Sequence, residues 1–168
     1  MPDREVRIVV NTGPLLALVA ATGGLDVLRG LYREILVPRE VHAEILAGGT
    51  DGFGVKEVGA ATWLTIWPTG LSIEPLVRNA LDPGEASVVQ LAINEKIGLV
   101  CIDEAVGRRV ARMADLKVTG SIGVLLRAIR EGRAIDMEDA IERMTRHGIW
   151  LSQQVRAFAI RNATSLHS

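Results

Sequence analysis

Apolar positions along the chain fall into short runs and helical stripes, and the two alternate. "RIVV" (7–10), "EILV" (34–37), "GLVCI" (98–102) and "LKV" (116–118) are nearly continuous in apolar character, as strands covered on both faces are. "WLTIW" (63–67) makes a fifth. Between them the apolar residues take helical spacing. Leu15, Leu16, Leu18 and Val19 begin one helix, and Leu25 and Leu28 mark a second. Val41, Ile45 and Leu46 mark the helix after Pro38. Ala86, Val89, Ala92 and Ile93 mark a longer one that ends near Gly98. Val106, Val110 and Met113 make the next, and Ile122 to Ile129 another. Two more, near 136–147 and 151–162, close the chain. Strands alternating with helices predict a three-layer α/β/α fold around a mostly parallel sheet of about five strands. The glycine-rich stretch "LAGGTDGFGVKEVGAA" (46–61) breaks the pattern and predicts a mobile loop leading into a short helix.

Length and composition narrow this picture. The 168 residues fit a single domain over 1–168, with its core at about 6–158. At 48% hydrophobic the chain is not disordered, and at 4% aromatic its core is aliphatic. With 20 acids against 19 Lys plus Arg, the net charge of −1 excludes a polycation and leaves room only for a local basic patch. One cysteine, Cys101, excludes an intrachain disulfide and a thiolate zinc cluster; inside "GLVCID" it reads as a buried strand residue. No apolar run reaches the roughly 18 residues that span a membrane, and "MPDREVR" lacks a signal-peptide core, so a soluble cytoplasmic protein is expected. Gly49 to Gly54 has the glycine gap of a phosphate loop. Lys56 is displaced, however, and no Ser or Thr follows it. The dinucleotide fingerprint G-x-G-x-x-G is absent.

In an open α/β sheet, ligands bind outside the carboxyl ends of the strands. Asn11 leaves the first strand, Asp103 and Glu104 leave "GLVCI", and Thr119, Gly120 and Ser121 leave the last. Glu44 and Glu85 lie near helix starts. Each has a structural reading. Asn11 stands three residues before Pro14 and suits a helix cap. Asp82-Pro83-Gly84-Glu85 fits a capping box. Asp103 and Ser121 suit caps of the helices that follow them, and Glu44 suits a helix flank. Taken together, three to four carboxylates at one sheet edge repel one another and raise their own pKa values. A hard divalent cation is the usual reason a fold keeps such a cluster, and Mg²⁺ needs only one or two direct carboxylates.

The order strand-Asn-Thr-x-Pro-Leu, "VPREVHAEIL", "LDPGEASVVQLA", "LVCIDEAVGRRVA", "VTGSIGVLL" resembles the PIN-domain superfamily, in a PIN-like prokaryotic branch with Asn at the first motif. The resemblance runs from about Val6 to Phe158. It implies a Mg²⁺- or Mn²⁺-dependent endoribonuclease acting on single-stranded RNA, often the toxin of a toxin–antitoxin pair and often a homodimer. It implies catalytic roles for Asn11, Glu44, Glu85 and Asp103, and metal ligation by Asn11, Glu85 and Asp103 with Glu104 beside them. Thr119 and Ser121 fall where the family supplies a further polar or acidic group. With Arg108 and Arg112, one helical turn apart, they are the candidates for holding RNA. Asn11 is a departure: it keeps an amide oxygen for the ion but brings no charge. The alternative is therefore a catalytically weak or inactive PIN-like module that binds RNA or protein.

Other groups add less. Arg109 lies beside the arginine pair, and Arg127, Arg130 and Arg133 form a similar run. His42, His147 and His167 have no metal-binding spacing. Trp63, Trp67 and Trp150 read as core or interface anchors, since aromatics are so few. The last helix, with Val155, Phe158, Ala159 and Asn162, packs on the domain or on a second copy.

Overall fold

In a computed structural model the described residues are 6–167. Five strands form one sheet: β1 (Arg7–Val10), β2 (Glu34–Val37), β3 (Thr65–Ile66), β4 (Leu99–Cys101) and β5 (Lys117–Thr119). Every pairing is parallel, and the order is β3-β2-β1-β4-β5. The sheet expected to be mostly parallel is thus parallel throughout. Residues Ile8 to Val10 and Ile35 to Val37 are buried, which is why these strands read as unbroken apolar runs.

Ten helices among the described residues fill the crossovers and the chain end. They are α1 (Thr12–Thr22), α2 (Asp26–Arg29), α3 (Arg39–Leu46), α4 (Val55–Ala60), α5 (Pro75–Ala80), α6 (Pro83–Asn94), α7 (Ala105–Met113), α8 (Ser121–Arg130), α9 (Met137–Arg146) and α10 (Gln153–Leu166). With the sheet between them they make the three expected layers. α4 is the short helix expected after the glycine-rich stretch. α5 is a helix the apolar pattern did not mark: only Val77 of its six residues is buried.

α7 presents a different face from the expected one, and α3 keeps two of the three residues expected in its stripe. Val106, Val110 and Met113 make the apolar stripe of α7, yet its buried residues are Gly107 and Ala111, and Met113 is 79% exposed. α7 approaches its neighbours so closely that only small residues fit. A Cβ on Gly107 would stand 2.9 Å from Ile102 Cγ2. On α3 the buried residues are Val41 and Ile45, while Leu46 faces out. Trp63 and Trp67 pack half-buried against the core, but Trp150 is 81% exposed and anchors nothing in the core. α10 docks through Ala159 and Ala163, leaving Val155 and Phe158 outward. No helix of the described residues is long and apolar enough to cross a membrane.

The strand order fixes where a site belongs. From β1 the chain steps to β2 and β3 on one side, then returns across β1 to place β4 and β5 on the other. β1 and β4 therefore flank the switch point, where the crossover loops diverge and leave a crevice at the carboxyl edge. Register places Val10 beside Cys101 and Cys101 beside Thr119, so residues following the three strands leave the sheet at one level.

Candidate active site

Asn11 stands at the switch point. Its backbone N–H donates to Cys101 O at 3.1 Å, and its own carbonyl accepts from Leu15 in the first turn of α1. It is the N-cap of α1 by backbone, but its side chain makes no capping hydrogen bond. The side-chain oxygen Oδ1 is buried and unpartnered, and the residue is only 6% exposed. A buried amide oxygen without a partner costs free energy. The cap reading does not account for where this oxygen points.

It points at carboxylates. The place a Cβ on Gly84 would occupy lies 3.4 Å from Asn11 Oδ1, 2.8 Å from Glu44 Oε2 and 3.5 Å from Asp82 Oδ1. Gly84 is in the first turn of α6, and its missing side chain leaves the space in which these oxygens gather. Glu44 is brought there from α3 by Thr12, whose hydroxyl donates to Glu44 Oε2 at 2.9 Å. A methyl at Gly84 would displace the Glu44 carboxylate, which is the free end of a flexible chain. Gly84→Ala is therefore expected to turn Glu44 away from Thr12 in a crystal structure. Its Tm should stay within about 3 °C of wild type, because alanine also favours the helix.

Glu85 follows in α6 and is 6% exposed. Its backbone N–H donates to Asp82 Oδ1 at 2.8 Å, so Asp82 caps α6 as the sequence suggests. The Asp82 backbone N–H in turn bonds the Glu85 carboxyl, completing the capping box the sequence suggests; the carboxyl also lies against α7, with Cδ 3.3 Å from the Cβ position of Gly107. Burial raises its pKa above the usual carboxylate range. The charges of Asp82, Glu104 and Glu44 raise it further, against the hydrogen bond with Asp82 that lowers it. Glu104, the N-cap of α7, is thus electrostatically coupled to Glu85 although the two come from different crossovers.

Asp103 is exposed and gripped. Ser121 N–H donates to its Oδ1 at 2.8 Å, and Ser121 Oγ donates to its Oδ2 at 2.9 Å. Arg108 Nη1 donates to Ile102 O, the carbonyl just before Asp103, at 2.8 Å. Neither helix is capped as the sequence suggests. Glu104, not Asp103, is the N-cap of α7, and Gly120, not Ser121, is that of α8. Ser121, a candidate for holding RNA, is 1% exposed, and its hydroxyl donates to Asp103. Thr119 is half-buried at the end of β5, with Oγ1 3.5 Å from Gly120 O. Arg108, Arg109 and Arg112 line an open cleft of about 530 Å³ with Asp103, Ala105 and Met113.

The remaining basic run lies elsewhere. Arg127 donates to Leu31 O and stacks over Tyr32, and Arg133 donates to Asp26 O. Tyr32 is pushed up to about 12, mainly by burial. Cys101 is buried in β4 as expected, and burial holds its thiol well above the ordinary range.

The donors at this edge are all oxygens, as a hard cation requires. Among the described residues no three His, Cys, Asp or Glu side chains stand together in a group that could hold a metal ion. Mg²⁺ does not need three, because it retains several waters and takes one or two carboxylates. The buried Asn11 oxygen, lacking any other partner, fits such an ion.

Comparison with known proteins bears on the whole chain. A family model described as a PIN domain matches residues 7–165. The chain belongs to the PIN-domain family. No curated protein matches it. The matched span of this PIN domain begins with β1 and ends within α10, so it includes Asn11, Glu44, Glu85, Asp103 and Ser121. Thr12, Gly84 and Gly107, which also shape the edge, carry no chemical signal of their own in the sequence. Thr12 and Gly84 stand beside residues that were singled out, and adjacency is the only signal they carry.

Proposed function

We propose that this PIN domain is a Mg²⁺- or Mn²⁺-dependent endoribonuclease that cuts single-stranded RNA. The observation that carries this reading is the buried, unpartnered Asn11 oxygen facing a carboxylate cluster at the switch point. Asn11, Glu85 and Asp103 would hold the ion, with Glu104 beside them. A bound divalent cation supplies charge neutralisation at the scissile phosphate and lowers the pKa of an attacking water. The chain's own groups do the rest. Thr12 fixes Glu44 toward the cluster, where its carboxylate accepts a proton from the attacking water. Burial and the neighbouring carboxylates raise the Glu85 pKa, and a cation held there would offset that repulsion. Arg109 and Arg112 are exposed on the cleft lip and take backbone phosphates, while Arg108 braces Ile102.

The resemblance to prokaryotic PIN toxins supports a role as the toxin of a toxin–antitoxin pair in the cytoplasm, with a cognate antitoxin and a homodimeric assembly. The outward apolar residues of α7 and α10 leave surface for such partners.

The test is cleavage of a labelled single-stranded RNA with millimolar Mn²⁺ or Mg²⁺. Cleavage is expected to stop on chelation and return when metal is restored. Absence of cleavage at saturating metal, with RNA still bound, would establish the other reading, a PIN module that binds without cutting.

A further inference from the structure

We infer that Ser121 is a positioning residue: it sets the Asp103 carboxylate for the metal site, an inference that rests on the ribonuclease reading above. Asp103 is exposed at the end of β4, where an acid ordinarily samples several rotamers. Here both carboxylate oxygens are held by one residue, through the Ser121 backbone N–H at 2.8 Å and its hydroxyl at 2.9 Å. Two bonds from one rigid donor pair fix the direction of the carboxylate as well as its place. The donor is rigid because Ser121 is buried in the first turn of α8, a helix packed into the core through Val124, Leu125 and Ala128.

The surroundings are built to the same end. A Cβ on Gly120 would lie 2.5 Å from Asp103 Oδ1 and 2.9 Å from Arg108 Nη1. Gly120 has extended backbone, φ −136°, that any residue adopts. Close approach, not conformation, requires glycine there. Arg108 then ties the Ile102 carbonyl, so the peptide entering Asp103 is fixed as well. The grip occupies two of the roughly four lone-pair directions of the carboxylate. The others remain free for a ligand at the switch point.

A helix cap alone needs less. The Ser121 N–H bond already places a carboxylate at the start of α8. The hydroxyl bond adds orientation, and removing the hydroxyl separates the two roles. Groups that orient a metal-binding side chain typically change metal affinity about 10- to 100-fold when lost.

The experiment is calorimetric titration of the metal-free full chain with Mn²⁺, with thermal melts alongside. Ser121→Ala is expected to weaken Mn²⁺ binding about tenfold or more. Its metal-free Tm should fall by no more than about 4 °C. Ser121→Thr, which restores the hydroxyl, should recover most of the affinity. Gly120→Ala leaves that hydroxyl in place but pushes on Asp103 directly, so it should weaken Mn²⁺ binding as well; it carries the test if Ser121→Ala does not fold. Wild-type affinity in both alanine variants overturns the inference and leaves the ribonuclease reading standing. A loss of metal-free stability with unchanged Mn²⁺ affinity assigns the pair to capping α8 and also overturns it. No Mn²⁺ uptake by the wild type at millimolar concentration removes both readings.

Discussion

Glu85→Gln is expected to lower RNA cleavage by about 100-fold, because the proposed ion loses a charged ligand. The same substitution is expected to raise the Tm of the metal-free protein at neutral pH by a few degrees. Both effects follow from one carboxyl. Glu85 is buried beside Asp82, Glu104 and Glu44, and burial followed by those charges raises its pKa. A group whose pKa is raised on folding stabilises the fold fully below the unfolded-state value. That stability is lost as pH rises through the folded-state value. At neutral pH the carboxyl therefore opposes folding, and the amide removes the opposition. The cap of α6 survives, because Asp82 accepts from the Glu85 backbone and not from its side chain. Melts of both proteins across pH 4–8 check the sign. The variant's advantage should shrink toward acid pH and reverse in no part of the range. With Mn²⁺ at 100 times its Kd the wild type gains about 2.7 kcal/mol by mass action. The variant should gain much less. A variant that cleaves normally, or melts lower than wild type at pH 7, removes Glu85 from the proposed role.

Asn11→Asp should act in the opposite direction on both quantities. The position is nine-tenths buried, and its Oδ1 faces Glu44 and Asp82 across the space at Gly84. A fixed negative charge there, without metal, costs about 2–4 kcal/mol through desolvation and repulsion. In a chain of this size that is about 5–10 °C of Tm. With metal the balance reverses. One unit charge 4 Å from another is worth about 4 kcal/mol in a partly buried site, so Mn²⁺ affinity is expected to rise at least about tenfold. Calorimetry on both proteins settles the comparison, and equal affinities would mean that Asn11 does not face the ion.

β1, β2 and β4 were legible because they are largely buried, and unbroken apolar runs such as "RIVV" have little else to become. The carboxyl-edge residues followed from the strands. Helix faces were less legible. On α7 the apolar stripe Val106–Met113 points outward, since close packing admits only Gly107 and Ala111. Spacing reveals a stripe but not how near the neighbouring element comes. The same blindness hid Gly84 and Gly107, whose importance is a missing atom. Asp82 at the start of α6 was read correctly, because capping is local. The Asp103–Ser121 pair was read as two separate caps, because its bonds join residues 18 apart in sequence.

The order β3-β2-β1-β4-β5 also sets when the edge can exist. β1 is made first, but its partner β4 lies some ninety residues later, and the grip on Asp103 waits for Ser121. A chain emerging from the ribosome therefore carries Asn11, and later Glu44, through much of its synthesis without the strand that leads to Asp103. Closing so long a loop is slow, because chain entropy is lost before the β1–β4 contacts form. Under the ribonuclease reading, the unfinished chain has no assembled cutting edge, and competence arrives in one late step with α8.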